Sequence, residues 1–200
     1  MSVLEFMSVS AAADHGGLHP VARSALERAQ RQAGATFAER DGWLVPVSLP
    51  NEQEHRARVG VGDLSHLGKW ELRPAGEPVG GDGVFWYRIS PRRALVLAEP
   101  GAPLAVHELQ TDRKLVLDVT AALCVLVLVG PAAGTAIRRL THLHDFPCGG
   151  EVAHVTAHVL RPQPDAYWIV APQEYGHYLW EVAVDVAAAL GGGPVGVDAL

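Results

Sequence analysis

The chain has 200 residues, 48% of them hydrophobic and 19% charged, with a formal net charge of −6 and two lysines, Lys69 and Lys114. That balance describes a globular protein, long enough to bury a core in one large domain or two small ones, and excludes a disordered chain. No basic stripe is present, which argues against nucleic acid as the main partner.

Cys124 and Cys148 are the only cysteines. They make no disulfide framework, so a reducing cytoplasm is the expected compartment. The opening MSVLEFMSVSAAADHGG carries Glu5 and no basic region, so it does not read as a secretory leader. Val116 to Val129 is interrupted by Asp118 and Thr120 and is too short to span a bilayer.

Taken in order, residues 1–17 read as a loose tail. HPVARSALERAQRQA (19–33) places Val21, Ala22, Ala25, Leu26 and Ala29 at helical spacing and ends at Gly34, a C-cap signal. TFAERDGWLVPVSL (36–49) has two strand-like runs about Asp41-Gly42, a hairpin signal. NEQEHRARV (51–59) reads as a charged helix with Asn51 as N-cap and Glu54 at its third position.

An echo follows. Asp63-Leu-Ser-His-Leu-Gly-Lys-Trp-Glu-Leu parallels Asp118-Val-Thr-Ala-Ala-Leu, and VFWYRISPRRALVLAEP (84–100) parallels AHVLRPQPDAYWIVAPQE (157–174). Each of the latter pair is a strand ending in Arg, a short turn with Pro, and a second strand. The first copy is stripped down, with PAGEPVGGDG (74–83) standing where the second has a helix and loop. Leu123 to Val129 is wholly apolar, as a strand covered on both faces should be, and therefore belongs centrally in a sheet. Gly130-Pro131 breaks it, with Pro131 suited to the first turn of the next helix. The last helix, Glu174 to Leu190, offers Tyr178, Leu179, Val182 and Val186 as its apolar stripe. The expected fold class is α+β: two pseudo-repeated half-domains of antiparallel sheet with helices, residues 18–112 and 113–200, sharing one core.

Three stretches now carry a resemblance. GATFAERDGWLVPVSL with EHRARVGVGDLSHLGK, then DVTAALCVLVLVGPAAGTAIRRL, then LWEVAVDVAAALGGGPVGVDAL follow one another across roughly residues 18–200. Together they resemble the glycine cleavage T-protein (aminomethyltransferase) folate-binding domain family. The departures are specific. A T-protein is far longer, continuing into an arginine-bearing helix and a barrel domain. Its helix with a Thr-Asn-Asp motif is replaced by PAGEPVGGDG. Its acidic segment is reduced to GGDGVFWYR (80–88), which leaves Asp82 for the first aspartate and Gly83 for the second. The stretch whose glutamate holds the pterin ring has become LRPQPDAYW (160–168), without a glutamate.

With these losses the chain is most similar to the gamma subunit of heterotetrameric sarcosine oxidase, a relative of about this size whose flavin chemistry lies on other subunits. The resemblance implies a non-catalytic accessory subunit with other subunits of a flavoprotein oxidase complex as partners, and tetrahydrofolate as the ligand. It implies no flavin or metal on this chain itself, no nucleic acid and no membrane. The alternatives are a shortened tetrahydrofolate-dependent aminomethyltransferase, with Asp82 as its acid/base, and a stand-alone folate-binding protein.

Asp82 and His66 are the residues the resemblance points to for folate, joined by Trp86 as a candidate pocket aromatic, with no catalytic set. Asp82 can accept a hydrogen bond or a proton from a folate amine, or be a turn aspartate in GGDG. His66, in the motif Ser65-His66-Leu67-Gly68, is a substrate-wall residue or one that satisfies a local carbonyl. His142, His144, Asp145 and Cys148, with His154 and His158 nearby, are metal-like in type, but lack two spaced ligand pairs, so no metal is expected. Trp43, Trp70, Phe85, Trp86, Tyr167 and Trp168 are core aromatics by default. In VFWYR and DAYWIV, however, neighbours must point to opposite faces, so the second half-repeat or a partner has to cover one of them.

Overall fold

The computed structural model describes residues 20–200, apart from the side chains of 107 and 108; the tail expected at 1–17 lies outside the described residues. Its strands are β1 (Ala22–Arg23), β2 (Thr36–Arg40), β3 (Trp43–Ser48), β4 (Gly60–Asp63), β5 (Gly68–Arg73), β6 (Val84–Ser90), β7 (Arg93–Ala98), β8 (Leu115–Asp118), β9 (Leu123–Val129), β10 (Cys148–Val152), β11 (Val155–Gln163), β12 (Ala166–Pro172) and β13 (Gly193–Pro194). Its helices are α1 (Glu27–Gln32), α2 (Glu52–Arg56), α3 (Val106–Leu109), α4 (Ala133–Leu140) and α5 (Gly176–Ala188).

Two sheets form the body. One has six strands in the order β10-β11-β12-β9-β4-β13, and the other has four, β6-β7-β5-β8. The β1-β3-β2 sheet makes a third, smaller one. The repeat anticipated from the echo is visible in these orders. A hairpin (β6-β7 or β11-β12) pairs with β5 or β9, and a last antiparallel strand completes each set. That last strand is exchanged: β4 joins the sheet of the second set, and β8 the sheet of the first. The joint is the same chemistry twice. Asp63 Oδ1 accepts Ser65 N–H at 2.8 Å and Ser65 Oγ accepts Val125 N–H at 3.1 Å. Asp118 Oδ1 accepts Thr120 N–H at 2.8 Å and Thr120 Oγ1 accepts Lys69 N–H at 2.9 Å. Each Asp-x-Ser/Thr turn thus ties its strand to the opposite set.

β9 lies between β12 and β4, and period-two alternation gives it two buried faces. Cys124, Leu126 and Leu128 pack with α4 and α5, while Val125, Val127 and Val129, with Trp168 beside them on β12, face Leu95, Leu97 and Tyr87 of the four-stranded sheet. The far face of the four-stranded sheet, with Leu72, Ala94 and Val96, is covered by Ala75, Val79 and Leu104 from the connecting loops and by Leu109 of α3. Gly130 ends β9 at φ 124°, where a Cβ would stand 2.8 Å from the carbonyl oxygens of both Arg56 and Arg58.

The hairpin at 36–49 forms as expected, with Asp41 at φ 48° and Gly42 at φ 71°, both in the left-handed region. Other elements differ locally. The helix expected from 19–33 is confined to Glu27–Gln32, because Ala22 and Arg23 pair in parallel with Trp43 and Leu44. Asn51 adopts φ 60° and makes no side-chain cap; the Glu52 carboxylate accepts Leu49 N–H (2.9 Å) and Gly196 N–H (3.2 Å) instead. Pro131 precedes its helix by two residues rather than opening it. On α5 the buried stripe is Leu179, Trp180, Ala183 and Ala187, and Tyr178 points outward, 41% exposed. The helix is apolar on several faces, so spacing alone did not select the one that packs.

Candidate functional site

At one end of the inter-sheet core the two sheets part to leave a cavity of about 520 Å³. Alternation on β9 and β12 turns Val127, Val129 and Trp168 into it, and β6 contributes Phe85. The β4–β5 turn supplies Leu64, His66 and Leu67. Polar groups enter from surrounding elements: Arg40 of β2, Arg56 of α2, Glu99 beyond β7 and Gln163 at the β11–β12 turn. Val197 and Leu200 complete the wall.

The charged groups here are unequal. Arg40 is engaged by Asp198 at 2.6 Å, whereas Arg56 has no side-chain partner among the described residues. The Glu99 side chain lies over the Asp82–Gly83 turn, its Oε2 3.1 Å from where a Gly83 Cβ would be. A carboxylate therefore reaches the cavity from the end of β7, not from the turn itself.

His66 is half-buried, and burial holds its imidazole pKa below the ordinary value, with Asp63 opposing the shift. Its ring makes no hydrogen bond among the described residues. The carbonyls on either side of it are already taken, because Lys69 Nζ donates to Ser65 O at 2.7 Å and to Leu67 O at 2.8 Å. Lys69 is fully buried, and burial pushes its pKa down to about 8. Asp63, also buried, accepts Gln30 Nε2–H at 2.8 Å besides capping Ser65. Gln30, Asp63, Ser65 and Lys69 thus hold the turn that presents His66 to the cavity.

Asp82 and Trp86 are not brought to this lining. Asp82 is exposed at the tip of the turn that leads into β6. Trp86 faces the opposite side of its sheet, among Val84, Val96 and the covering loops, with Arg88 5.2 Å from its ring and its buried Nε1 without an acceptor. Its neighbours Phe85 and Tyr87 turn inward instead. Phe85 meets Trp168 edge to face at a centroid distance of 4.5 Å, and Tyr87 meets His158 at 5.3 Å. The covering expected for the VFWYR and DAYWIV aromatics is therefore supplied largely by the opposite sheet. Among the described residues no group of three or more His, Cys, Asp and Glu side chains is placed to hold a metal; Cys148 Sγ is directed at His144 O, 3.4 Å away. No helix there is long and apolar enough to cross a membrane.

Sequence reasoning missed Glu99, Arg56 and the burial of Lys69. Glu99 had a local signal, the Ala-Glu-Pro that closes the first repeat. The other two had none, since a charged residue defaults to the surface.

No protein-family model matches the chain. The aminomethyltransferase of Mycobacterium tuberculosis (strain ATCC 25618 / H37Rv) is 49% identical over 55 residues, 26% of this chain and 15% of that protein. A probable aminomethyltransferase of Aeropyrum pernix is 33% identical over 93 residues, 44% of this chain and 24% of that protein. The matched stretches thus span 15% and 24% of these relatives' own length. Among solved structures, glycine cleavage system aminomethyltransferase T from Bartonella henselae superimposes with a TM-score of 0.69 at 18% identity, covering 90% of this chain and 60% of that one. A chain of the heterotetrameric sarcosine oxidase from Corynebacterium sp. U-96 does so with a TM-score of 0.59 at 17% identity, covering 71% and 91%. The fold is T-protein-like, and part of the sequence is as well.

Proposed function

We propose that this chain is a non-catalytic accessory subunit of a flavin-dependent, sarcosine oxidase-type complex, holding a folate-accessible cavity beside its partners. One observation carries the reading: a T-protein-like body whose cavity is walled mainly by Leu64, Leu67, Phe85, Val127, Val129 and Trp168, while Asp82 stands on an exposed turn outside it. General acid–base work needs a carboxylate within reach of the reacting proton, and Asp82 is not presented that way. The likeness in fold to a chain of the heterotetrameric sarcosine oxidase is in keeping with this reading.

Tetrahydrofolate, the ligand the aminomethyltransferase likeness implies, fits this lining in kind. Phe85 and Trp168 offer flat apolar surface to a pterin ring, Glu99 and Gln163 can accept from ring N–H groups, and the unpaired Arg56 suits a tail carboxylate. When bound, the cofactor would supply an acceptor for a one-carbon unit; these residues would bind and orient it.

Purification from the native host tests the proposal. Elution with a flavin-bearing partner is expected, and a monomer with no partner overturns it. The second reading, a shortened aminomethyltransferase, draws on the 49% identity and on the Glu99 carboxylate at the cavity. Turnover of tetrahydrofolate and an aminomethyl donor by the purified chain, lost in Glu99→Gln, would establish that reading instead.

A further inference from the structure

On the other side of the six-stranded sheet, α4, α5 and the β10–β11 hairpin enclose a second cleft of about 420 Å³, lined by Arg138, Arg139, His142, His154, Tyr178 and Val182. In a chain of net charge −6 this cleft gathers two arginines and two histidines against one carboxylate, Glu151. His154 Nδ1 lies 3.2 Å from that carboxylate already. Arg139 has no partner among the described residues, and Arg138 only a 3.3 Å bond to Thr135 Oγ1. Basic residues in the last turn of α4 do complement the helix dipole, but that accounts for neither the histidines nor the tyrosine.

The apolar side of the cleft is only partly engaged by the core. Tyr178 and Val182, spaced i and i+4, share one face of α5; Tyr178 is 41% exposed, and Val182 is half-buried against the edge of the core. Leu179, Trp180, Ala183 and Ala187 are the residues of α5 that are fully buried. On the α5 flank, Glu181 is drawn toward His177, 3.7 Å away. Tyrosine and arginine around a recess are the composition of interface hot spots.

We infer that this cleft docks a partner protein through an acidic segment, its carboxylates on Arg138 and Arg139 and an apolar side chain against Tyr178 and Val182. The existence of a partner rests on the accessory-subunit reading; the location does not rest on the folate cavity. Charge complementarity selects the occupant, since Arg138 and Arg139 have no carboxylate partner among the described residues and an acidic segment would supply one to each.

The test is a photocrosslinking amino acid, p-benzoylphenylalanine, placed at Tyr178 in the full chain in its native host, with the exposed Asp112 as control site. Mass spectrometry should identify an Asp- and Glu-rich segment of another polypeptide joined at 178 and nothing at 112. The double variant Arg138→Glu/Arg139→Glu, both positions being exposed, should keep its melting temperature and lose roughly tenfold in crosslink yield. Crosslinks to a second copy, to a basic segment, or equally at 112 overturn the inference, as does a yield indifferent to charge reversal. Saturable binding of inorganic phosphate with no crosslink at 178 reassigns the cleft to a small anion. A complex that forms without crosslinking at 178 sinks this docking site alone, whereas no complex at all sinks the accessory reading with it.

Discussion

Ser65 and Thr120 make the same pair of hydrogen bonds from opposite sheets, each receiving its aspartate's cap two residues back and each accepting a backbone N–H from a strand of the other set. Their surroundings differ. Ser65 is 4% exposed and Thr120 is half-buried. Ser65→Ala leaves a buried Val125 N–H unsatisfied and should cost about 1–3 kcal/mol, whereas Thr120→Ala should cost less because water can substitute. Urea unfolding of the two variants, at unchanged m-value, measures the difference.

Phe85 and Trp168 join the two sheets, so their contact should be visible energetically. Trp168→Ala is expected to cost about 3–5 kcal/mol. A double-mutant cycle with Phe85→Leu should return a coupling of roughly 0.5–1.5 kcal/mol. Additive single effects would mean that the rings touch without stabilising the sheet pair.

Lys69 gives the fold a distinctive alkaline limb. Its buried amine has a pKa near 8 in the folded chain, against 10.5 as the ordinary value. Between those values the unfolded chain binds the extra proton, so stability rises with pH across the window; below 8 the penalty for the buried charge is present in full, and above 10.5 it is gone. Wild type should therefore gain up to about 3 kcal/mol on Lys69→Met between pH 8 and 10.5. A pH-independent difference between the two proteins would show that the amine titrates normally.

The thiols should separate by accessibility. Burial pushes the Cys124 thiol up to about 12, and burial also raises that of Cys148, which is only half-buried. Ellman's reagent at mildly alkaline pH should titrate one thiol of the native chain, slowly, and the second only on unfolding. Two prompt equivalents would contradict the packing of β9.

What was legible in the sequence was what local pattern carries. The unbroken apolar run of β9 and the Asp41-Gly42 hairpin read correctly, because each follows from side-chain period or turn chemistry within a few residues; the likeness of the Asp63 and Asp118 stretches was visible, but not the turns they make. The exchange of β4 and β8 was not legible, since pairing between strands so distant in sequence leaves no local trace. The packing face of α5 was missed for a related reason: Tyr178 and Trp180 are equally good core residues until the sheet beneath selects one. His66, singled out from its motif, lies at the cavity wall. Glu99 and Arg56 come to it from separate elements that only the tertiary fold brings near.

The exchanged strands have a mechanical consequence. Each set of strands closes its sheet with a segment lent by the other, so neither set, cut away from its fellow, would hold a full complement: one raw β-edge would be left bare and one spare strand would have nothing to pair with. The two-way loan clasps the sheets into a single cooperative unit.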